Sequence, residues 1–577
     1  MAASSEPRTG PGNSAFKRYA PFIAVVAVIA IVVGVLVATS GSGSKKKQPG
    51  TTTAVASKAP WPSYSEAQAA NTVSKYTWDS NCNTATGLVK LPSWDGPPCM
   101  AAFSGDNGGA TAPGVTKDTI RIAYYSAPPD PSADALAKSV NAYDSPEQVG
   151  ATNLGFLEAF AKRVQLYGRK VQLVKLQGTG TSNDEQKAQA DAQTAKSLNV
   201  FAVLGGPSQT VSFSQTLANE GILCIGSCLI SRPGAFYKAN SPYIWPGIEP
   251  DQTSTFNTEF VKKQLANKDA IYAGDAKFRK EKRTFAILSY DNQGAFKPVW
   301  DAWKKKLEAA GVPIKGQVTY LLNIPTVQSD AQSFVQQLKA IDATTVLFTG
   351  DPFTPIYITK EATKQGYFPE WVMAGTVFAD TSVFGRQYDP KQWAHAFGMS
   401  LIPPRIPVTQ SRYYAIYTDC GKTAAPPAYN TQGIIYANED LLFTGLELAG
   451  PHLTAQNFYA GMTAYPVPRR DDPADLRPVS SYGDHGIWPD GTDYGSTDTT
   501  GFVWWDPKAP GEDETGNTGT GQYRYIENGR QFLPGEVPST PMGLFKTADT
   551  VTYYDNSGKY EGTKPVPASL KPLPCQS

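Results

Sequence analysis

Histidine is nearly absent from this chain, with three in 577 residues: His395, His452 and His485. That leaves little material for a metal centre or for histidine-dependent catalysis. No serine nucleophile elbow, zinc-ligand spacing or phosphate-cradling glycine loop occurs. Gly178-Thr179-Gly180 starts like a dinucleotide fingerprint but lacks the third glycine, so it reads as a turn. In Asp484-His485-Gly486 a histidine adjoins an acid, but a lone histidine in a polar loop is ordinarily just solvated. Charge of either sign in excess is also missing: 52 Lys and Arg face 51 Asp and Glu, a net +1. Nothing in that balance attracts nucleic acid. These absences argue against an enzyme, and no cofactor or metal is expected.

Cysteines are few, six in all, at Cys82, Cys99, Cys224, Cys228, Cys420 and Cys575. An even number, all beyond the first fifty residues, fits an oxidising compartment. Long apolar runs are scarce too, and Ala20 to Ala38 stands out as one, mostly Ala, Val and Ile. At 1.5 Å per residue it spans roughly 28 Å, close to the ~30 Å core of a bilayer. A cleaved signal peptide usually has a shorter apolar region, so the run reads as an uncleaved signal anchor, with cleavage near Ala38-Thr39-Ser40 as the alternative. No cysteine follows it, which excludes a lipoprotein signal. Arg8, Lys17 and Arg18 on one side tie with Lys45, Lys46 and Lys47 on the other. The cysteines decide the orientation: a cytoplasmic tail of residues 1–19, a single pass over 20–38, and everything large outside. Residues 39–60 form a flexible Gly/Ser/Thr/Lys linker. Residues 61–117 read as an irregular cap stapled by Cys82 and Cys99.

What the chain has in abundance is β-α alternation. Phe201 to Leu204 is a branched apolar run broken by Gly205-Gly206-Pro207. Ser208-Gln209-Thr210 then opens an amphipathic helix ending near Glu220-Gly221, and Ile222 to Ile225 follows as the next strand. This is a β-α-β unit, so the sheet is expected to be parallel. In such sheets ligands collect where strand ends meet helix starts, because free N–H groups and the positive dipole end point there. Ser208, Gln209 and Thr210 are therefore candidate ligand residues for a small polar or anionic group. Upstream, Thr119 to Tyr125 is a strand, and Ser145-Pro146-Glu147-Gln148 has the capping-box pattern of a helix start. That helix carries a buried face of Leu154, Leu157, Ala161 and Val164. Val171 to Leu176 is a strand, and Ser182 to Glu185 a second capping box.

A similar series starts near Asp251. The basic run Lys277 to Arg283 reads as a solvated lead-in to a strand at Thr284–Leu288. Helices at 295–310, 329–340 and 357–365 alternate with strands at 317–321, 344–349 and 371–375. Two consecutive arrays imply two α/β lobes. Beyond Pro466 the chain turns to Gly, Asp, Thr and aromatics, with short strand-like runs at Thr500–Trp505 and Gln522–Ile526.

Leu173-Val-Lys-Leu176, Val203-Leu-Gly-Gly-Pro-Ser208, Asn219-Glu-Gly-Ile-Leu223, Phe285 to Asp291, Ala309-Ala-Gly311 and Gly433 to Asn438 occur in an order and spacing that resembles the type I periplasmic binding proteins. The likeness is to the branched-chain amino acid (Leu/Ile/Val-type) substrate-binding group of ABC transporters, over about 115–465. It implies two parallel-sheet α/β lobes joined by three crossovers, near 246–250, 401–408 and 465–495, with a ligand closed between them. The implied division is 118–248 for the first part of lobe 1, 249–403 for lobe 2, 404–470 for the return to lobe 1, and 471–577 for C-terminal loops with a small β addition. The implied function is an extracytoplasmic binding protein that presents an amino-acid-like, amide or related metabolite to an ABC permease. The alternative is a sensing receptor ectodomain acting through a partner membrane protein.

The resemblance also maps ligand residues. Its serine-rich loop falls on Ser208, Gln209 and Thr210; its next Thr or Ser on Ser231; its second-lobe turn on Gln293, where the family often has Tyr. Amino-acid binders place a Glu after the strand ending at Gly375; here Val377 stands there, beside Thr376, with Asp380 the nearest acid and Asp351 a substitute. A buried ammonium left unpaired costs several kcal/mol, which argues against branched-chain amino acids. Tyr125, with Tyr124 and Trp245, is a candidate wall or a core aromatic. Cys224 and Cys228 pair only if Gly226-Ser227 makes a tight turn, since four extended residues span roughly 13 Å. The alternatives are a buried thiol with a longer pairing to Cys420 or Cys575, or Cys420 with Cys575 as the remaining two.

Overall fold

The computed structural model describes residues 61–577 except 130–133, 135–137, 139–142, 183, 230–231, 292–293, 295, 322–325, 376–377, 467–475, 485–486, 489–490, 515, 553, 555–558, 561–563 and 576–577. The candidate anchor at 20–38 lies outside these residues. Among the described residues no helix is long and apolar enough to cross a membrane.

Strand β1 (Thr119–Ser126) is flanked on both sides by parallel partners, β2 (Lys170–Gln177) and β3 (Ala202–Leu204). β4 (Leu223–Gly226) and β5 (Ile244–Pro246) continue the sheet in the order β2-β1-β3-β4-β5. β3, β4 and β5 are buried at every residue, as expected for strands covered on both faces by helices. Helix α1 (Pro146–Ala161) starts as its sequence predicts. Ser145 Oγ accepts from Gln148 N–H at 3.2 Å, and Gln148 Oε1 accepts from Ser145 N–H at 2.7 Å. Its inward face includes the expected Leu157 and Val164, which are buried, but Leu154 is 45% exposed. Phe156 and Phe160 are buried instead, because α1 packs on helix α2 (Gln432–Leu448), where Phe160 stacks on Phe443 at 5.2 Å. The helix over Glu185–Ser197 is capped by Asp184, which accepts from Lys187 N–H, and not by Ser182.

The second sheet repeats the first. β6 (Phe285–Tyr290), β7 (Ile314–Tyr320), β8 (Thr345–Thr349), β9 (Glu370–Ala374) and β10 (Ala396–Ser400) are parallel in the order β7-β6-β8-β9-β10. A hairpin then extends it. β11 (Gly501–Glu512) pairs antiparallel with β10, and β12 (Thr518–Tyr525) antiparallel with β11. The chain passes between the sheets three times: between Pro246 and Pro250, between Ser400 and Arg412, and between Tyr465 and Gly501.

The segment from Trp61 packs into the first lobe. Cys82, Val89, Leu91, Cys99 and Met100 share its core with Ile122 and Phe160. Arg169, buried, ties the segment down by donating to the carbonyls of Thr116, Asn107 and Pro451. The basic run before β6 is not wholly solvated. Arg283 is buried and forms a two-point ion pair with Glu370, Nε to Oε2 at 2.7 Å and Nη2 to Oε1 at 2.8 Å.

All six cysteines are paired: Cys82 with Cys99, Cys224 with Cys228, and Cys420 with Cys575. The close pair is possible because Gly226 adopts φ +66°, which folds the chain back to a Cα separation of 6.0 Å. A side chain at Gly226 would also strike Asn438, whose amide holds the turn: Ser227 N–H donates to Asn438 Oδ1 at 3.0 Å, and Asn438 Nδ2 donates to Ser227 Oγ at 2.9 Å.

Candidate functional site

Loops leaving the carboxyl ends of both sheets meet where Arg232 lies over Phe296, and the residues around that contact define the candidate site. On the first lobe Gly205, at φ +72°, releases the chain from β3. Gly206 lies so close to Phe213 that a Cβ would stand 2.7 Å from the ring. Ser208, Gln209 and Thr210 follow and are all buried. Thr210 caps helix α3 (Val211–Asn219) by accepting from Ser212 N–H at 3.1 Å, and Gln209 N–H donates to Ser182 O at 3.0 Å. The loop is thus held from beneath.

Tyr125 stands beside this loop with its ring against Phe213 at 5.5 Å. Its hydroxyl is engaged within the lobe, donating to Asp191 Oδ2 at 3.0 Å. Burial, with Asp191 adding, pushes that phenol well above the usual range. It offers a ring edge and no free acid. Trp245 is a core residue, fully buried among Phe458, Tyr459, Tyr482 and Tyr494. Ser231, Gln293 and Thr376 lie outside the described residues.

The second lobe contributes aromatic surface. Tyr290 at the end of β6 packs on Phe296 at 5.3 Å, and Phe296 on Trp300 at 6.4 Å. Asp351 takes a role the sequence did not indicate. Its carboxylate accepts from Tyr320 OH at 2.7 Å, Phe353 N–H at 2.7 Å, Thr354 N–H at 2.8 Å and Thr354 Oγ1 at 2.7 Å. Four intralobe donors fix it as the anchor of the helix that follows. Asp380 is buried behind β10 beside a cavity of about 10 Å³ lined by Ser382, Arg405, Glu514 and Tyr525. That is the room of about one water.

A residue missed in the sequence joins the two lobes. Arg232, in the loop after β4 and largely buried, lies over the face of Phe296, with 5.3 Å from the guanidinium carbon to the ring centre. A separate groove of about 260 Å³ lies on the outside of the first lobe, between α1 and the Cys420 segment. It is lined by Gly155, Glu158, Lys162, Arg163 and Tyr417, a mixed polar and apolar surface.

The crossovers carry their own charge chemistry. Glu249, between β5 and the helix starting at Pro250, is buried and accepts from Tyr494 N–H at 3.2 Å. Burial pushes its carboxyl up to about 8; the Tyr494 N–H opposes this and Asp251 adds to it. Asp493 and Asp498 beside it are raised by burial as well. The folded state therefore holds the Glu249 proton more tightly than the unfolded chain does. Its stabilisation is fully present below pH about 4.5 and is lost as pH rises through about 8. Glu249→Gln is expected to flatten the fall in stability over that window and to raise stability at pH 9 by roughly 2–4 kcal/mol. Denaturant melts at pH 5 and pH 9 check this; an unchanged slope with pH contradicts it.

Two like-ordered parallel sheets, joined by three crossovers and meeting at their carboxyl ends, define a two-lobed clamshell binding protein. The match to the periplasmic binding protein family extends over residues 138–487, more than half of the sequence, and the chain belongs to that family. No curated protein matches. Among solved structures, the chain is similar to a fatty acid ABC transporter substrate-binding protein from Thermomonospora curvata, at 15% identity over 77% of this chain and 100% of that one, TM-score 0.46. It is also similar to the branched-chain amino acid transporter substrate-binding protein of Streptococcus pneumoniae in complex with isoleucine, at 12% identity over 71% and 100%, TM-score 0.43. A third is a solute-binding protein from Rhodopseudomonas palustris in complex with p-hydroxybenzoic acid, at 13% identity over 73% and 99%, TM-score 0.43.

Proposed function

We propose that this protein is the extracytoplasmic solute-binding component of an ABC-type importer. Residues 20–38 tether it to the membrane, and the two lobes capture one small molecule and present it to a permease. The observation that carries this reading is the meeting of two like-ordered parallel sheets at their carboxyl ends, where Arg232 of one lobe touches Phe296 of the other. The protein transforms nothing; its work is a closure equilibrium that ligand shifts. Ser208, Gln209 and Thr210 form the floor, and Ser231, Gln293 and Thr376 are proposed as further ligand residues.

A thermal-shift panel of amino acids, amides, short and long carboxylates and aromatic acids tests the reading. Ligand at a hundred times its Kd stabilises the bound form by about 2.7 kcal/mol, a visible shift. A folded, ligand-stripped protein that responds to no class contradicts it. With a ligand in hand, Ser208→Ala is expected to weaken binding by about 1–3 kcal/mol. Thr210→Ala is expected to lose, in addition, about 1 kcal/mol of stability through the helix cap. Unchanged affinity in Ser208→Ala removes this loop from the site.

A further inference from the structure

The turn after β4 is built around one exposed residue. Cys224 and Cys228 are fully buried and bonded to each other, and Ser227 between them faces solvent. β4 lies beside β3, so this turn sits against the loop that starts the floor. A Cβ on Gly205 would stand 3.6 Å from Ser227 Oγ, and one on Gly206 would stand 3.3 Å from Cys228 Cβ. The two loops therefore lie against each other, with the Ser227 hydroxyl at Gly205 and the bridge at Gly206.

Asn438 decides what that hydroxyl offers. The Ser227 N–H can only donate, so the amide atom facing it at 3.0 Å is Asn438 Oδ1. That leaves Asn438 Nδ2 facing Ser227 Oγ at 2.9 Å, and this nitrogen can only donate. The backbone thus sets the orientation of the amide. A hydroxyl oxygen that accepts from an amide keeps its own proton for a further partner. Among the described residues no group takes that proton. The turn presents a donor at the end of the sheet, beside the Ser208–Thr210 loop.

Resting on the solute-binding reading, we propose that Ser227 donates a hydrogen bond to an oxygen acceptor of the ligand, a carboxylate or a carbonyl, and that Asn438 is the positioning residue that holds Ser227 in this donor state. Asn438 acts through Ser227, from helix α2, and the Cys224–Cys228 bridge keeps the turn closed against it.

The test is calorimetric titration of the purified full-length protein with benzoate, benzamide, L-leucine and benzylamine. The first three carry an oxygen acceptor; benzylamine at neutral pH is an ammonium with none. At least one acceptor probe is expected to bind about tenfold or more tighter than benzylamine, and Ser227→Ala to weaken that probe about tenfold. Asn438→Asp keeps an acceptor for the Ser227 N–H but replaces the amide donor by a second acceptor, which turns the Ser227 proton away from the ligand. It is expected to weaken the same probe at least as much as Ser227→Ala does. In the Ser227→Ala background, and in high salt that screens the added charge, Asn438→Asp is expected to cost no more than about threefold further. A merely structural Asn438 would cost the same in both backgrounds, and that pattern overturns the positioning role. Unchanged affinity in Ser227→Ala overturns the proposal. Benzylamine as the tightest probe also overturns it while leaving the solute-binding reading intact. No binding by any of the four overturns the acceptor assignment; the broader thermal-shift panel then decides the solute-binding reading separately. Should Asn438→Asp fail to fold, the probe ranking on the wild type and on Ser227→Ala still decides.

Discussion

Arg283→Met is expected to destabilise the second lobe by about 3–5 kcal/mol, among the largest effects of any single change in this protein. Arg283 and Glu370 have side chains 2% and 0% exposed, so removing the guanidinium leaves a carboxylate deep in protein. The remaining donors to it are Thr345 Oγ1 at 2.7 Å and Tyr272 N–H at 3.1 Å, which satisfy lone pairs but do not neutralise charge. The double variant Arg283→Met/Glu370→Leu removes both charges and is expected to return within about 2 kcal/mol of wild type. A double-mutant cycle in urea measures the difference. The pair matters to function because Glu370 begins β9, and the end of β9 carries one of the loops of the cleft. A loss under 1 kcal/mol in Arg283→Met contradicts the account.

The second large effect concerns the C-terminal tail. Leu570 is buried in the core of the second lobe, whereas Cys420 lies beside the Arg412–Tyr417 helix of the first. The Cys420–Cys575 disulfide therefore straps one lobe to the other through five residues, a reach of at most about 17–18 Å. It closes a separation of 155 residues, for which loop-closure entropy gives about 5 kcal/mol in the ideal case and about 2–5 kcal/mol in practice. Cys420→Ser/Cys575→Ser is expected to lose that stability and to widen the ligand-free protein. Guanidinium melts report the first and small-angle scattering the second. Equal scattering of the two forms shows that the strap does not limit opening.

Much of this architecture was legible in residue patterns. The Ser145–Gln148 capping box and the glycine-broken strand at Phe201–Leu204 are local signals, and local physics decides them. What escaped is non-local. Ala396–Ser400 was not read as a strand, because five residues with Gly398 at their centre carry little β signal. It is a strand because β9 and β11 pair with it on either side. Gly398 itself is required: a Cβ there would stand 2.3 Å from Met373 O. Arg283 looked solvated because its partner, Glu370, lies 87 residues away. Asp351 looked available because nothing local reveals that Tyr320 and its own downstream N–H groups surround it. Leu154 has the helical spacing of a buried position with Leu157, but α1 turns its Phe156 and Phe160 face to α2 and leaves Leu154 exposed. Arg232 was missed for the same reason as Arg283: its ring partner, Phe296, belongs to the other lobe. Only its isolation between Ser231 and Pro233-Gly234, in a loop after a buried strand, offered a hint.

The central claim is that the lobes close on a ligand. Small-angle scattering of the ligand-stripped protein, before and after addition of the ligand giving the largest thermal shift, tests it most directly. The account predicts that saturating ligand reduces the radius of gyration of the stripped protein, at a stoichiometry of one. Binding that leaves the scattering curve unchanged would contradict it.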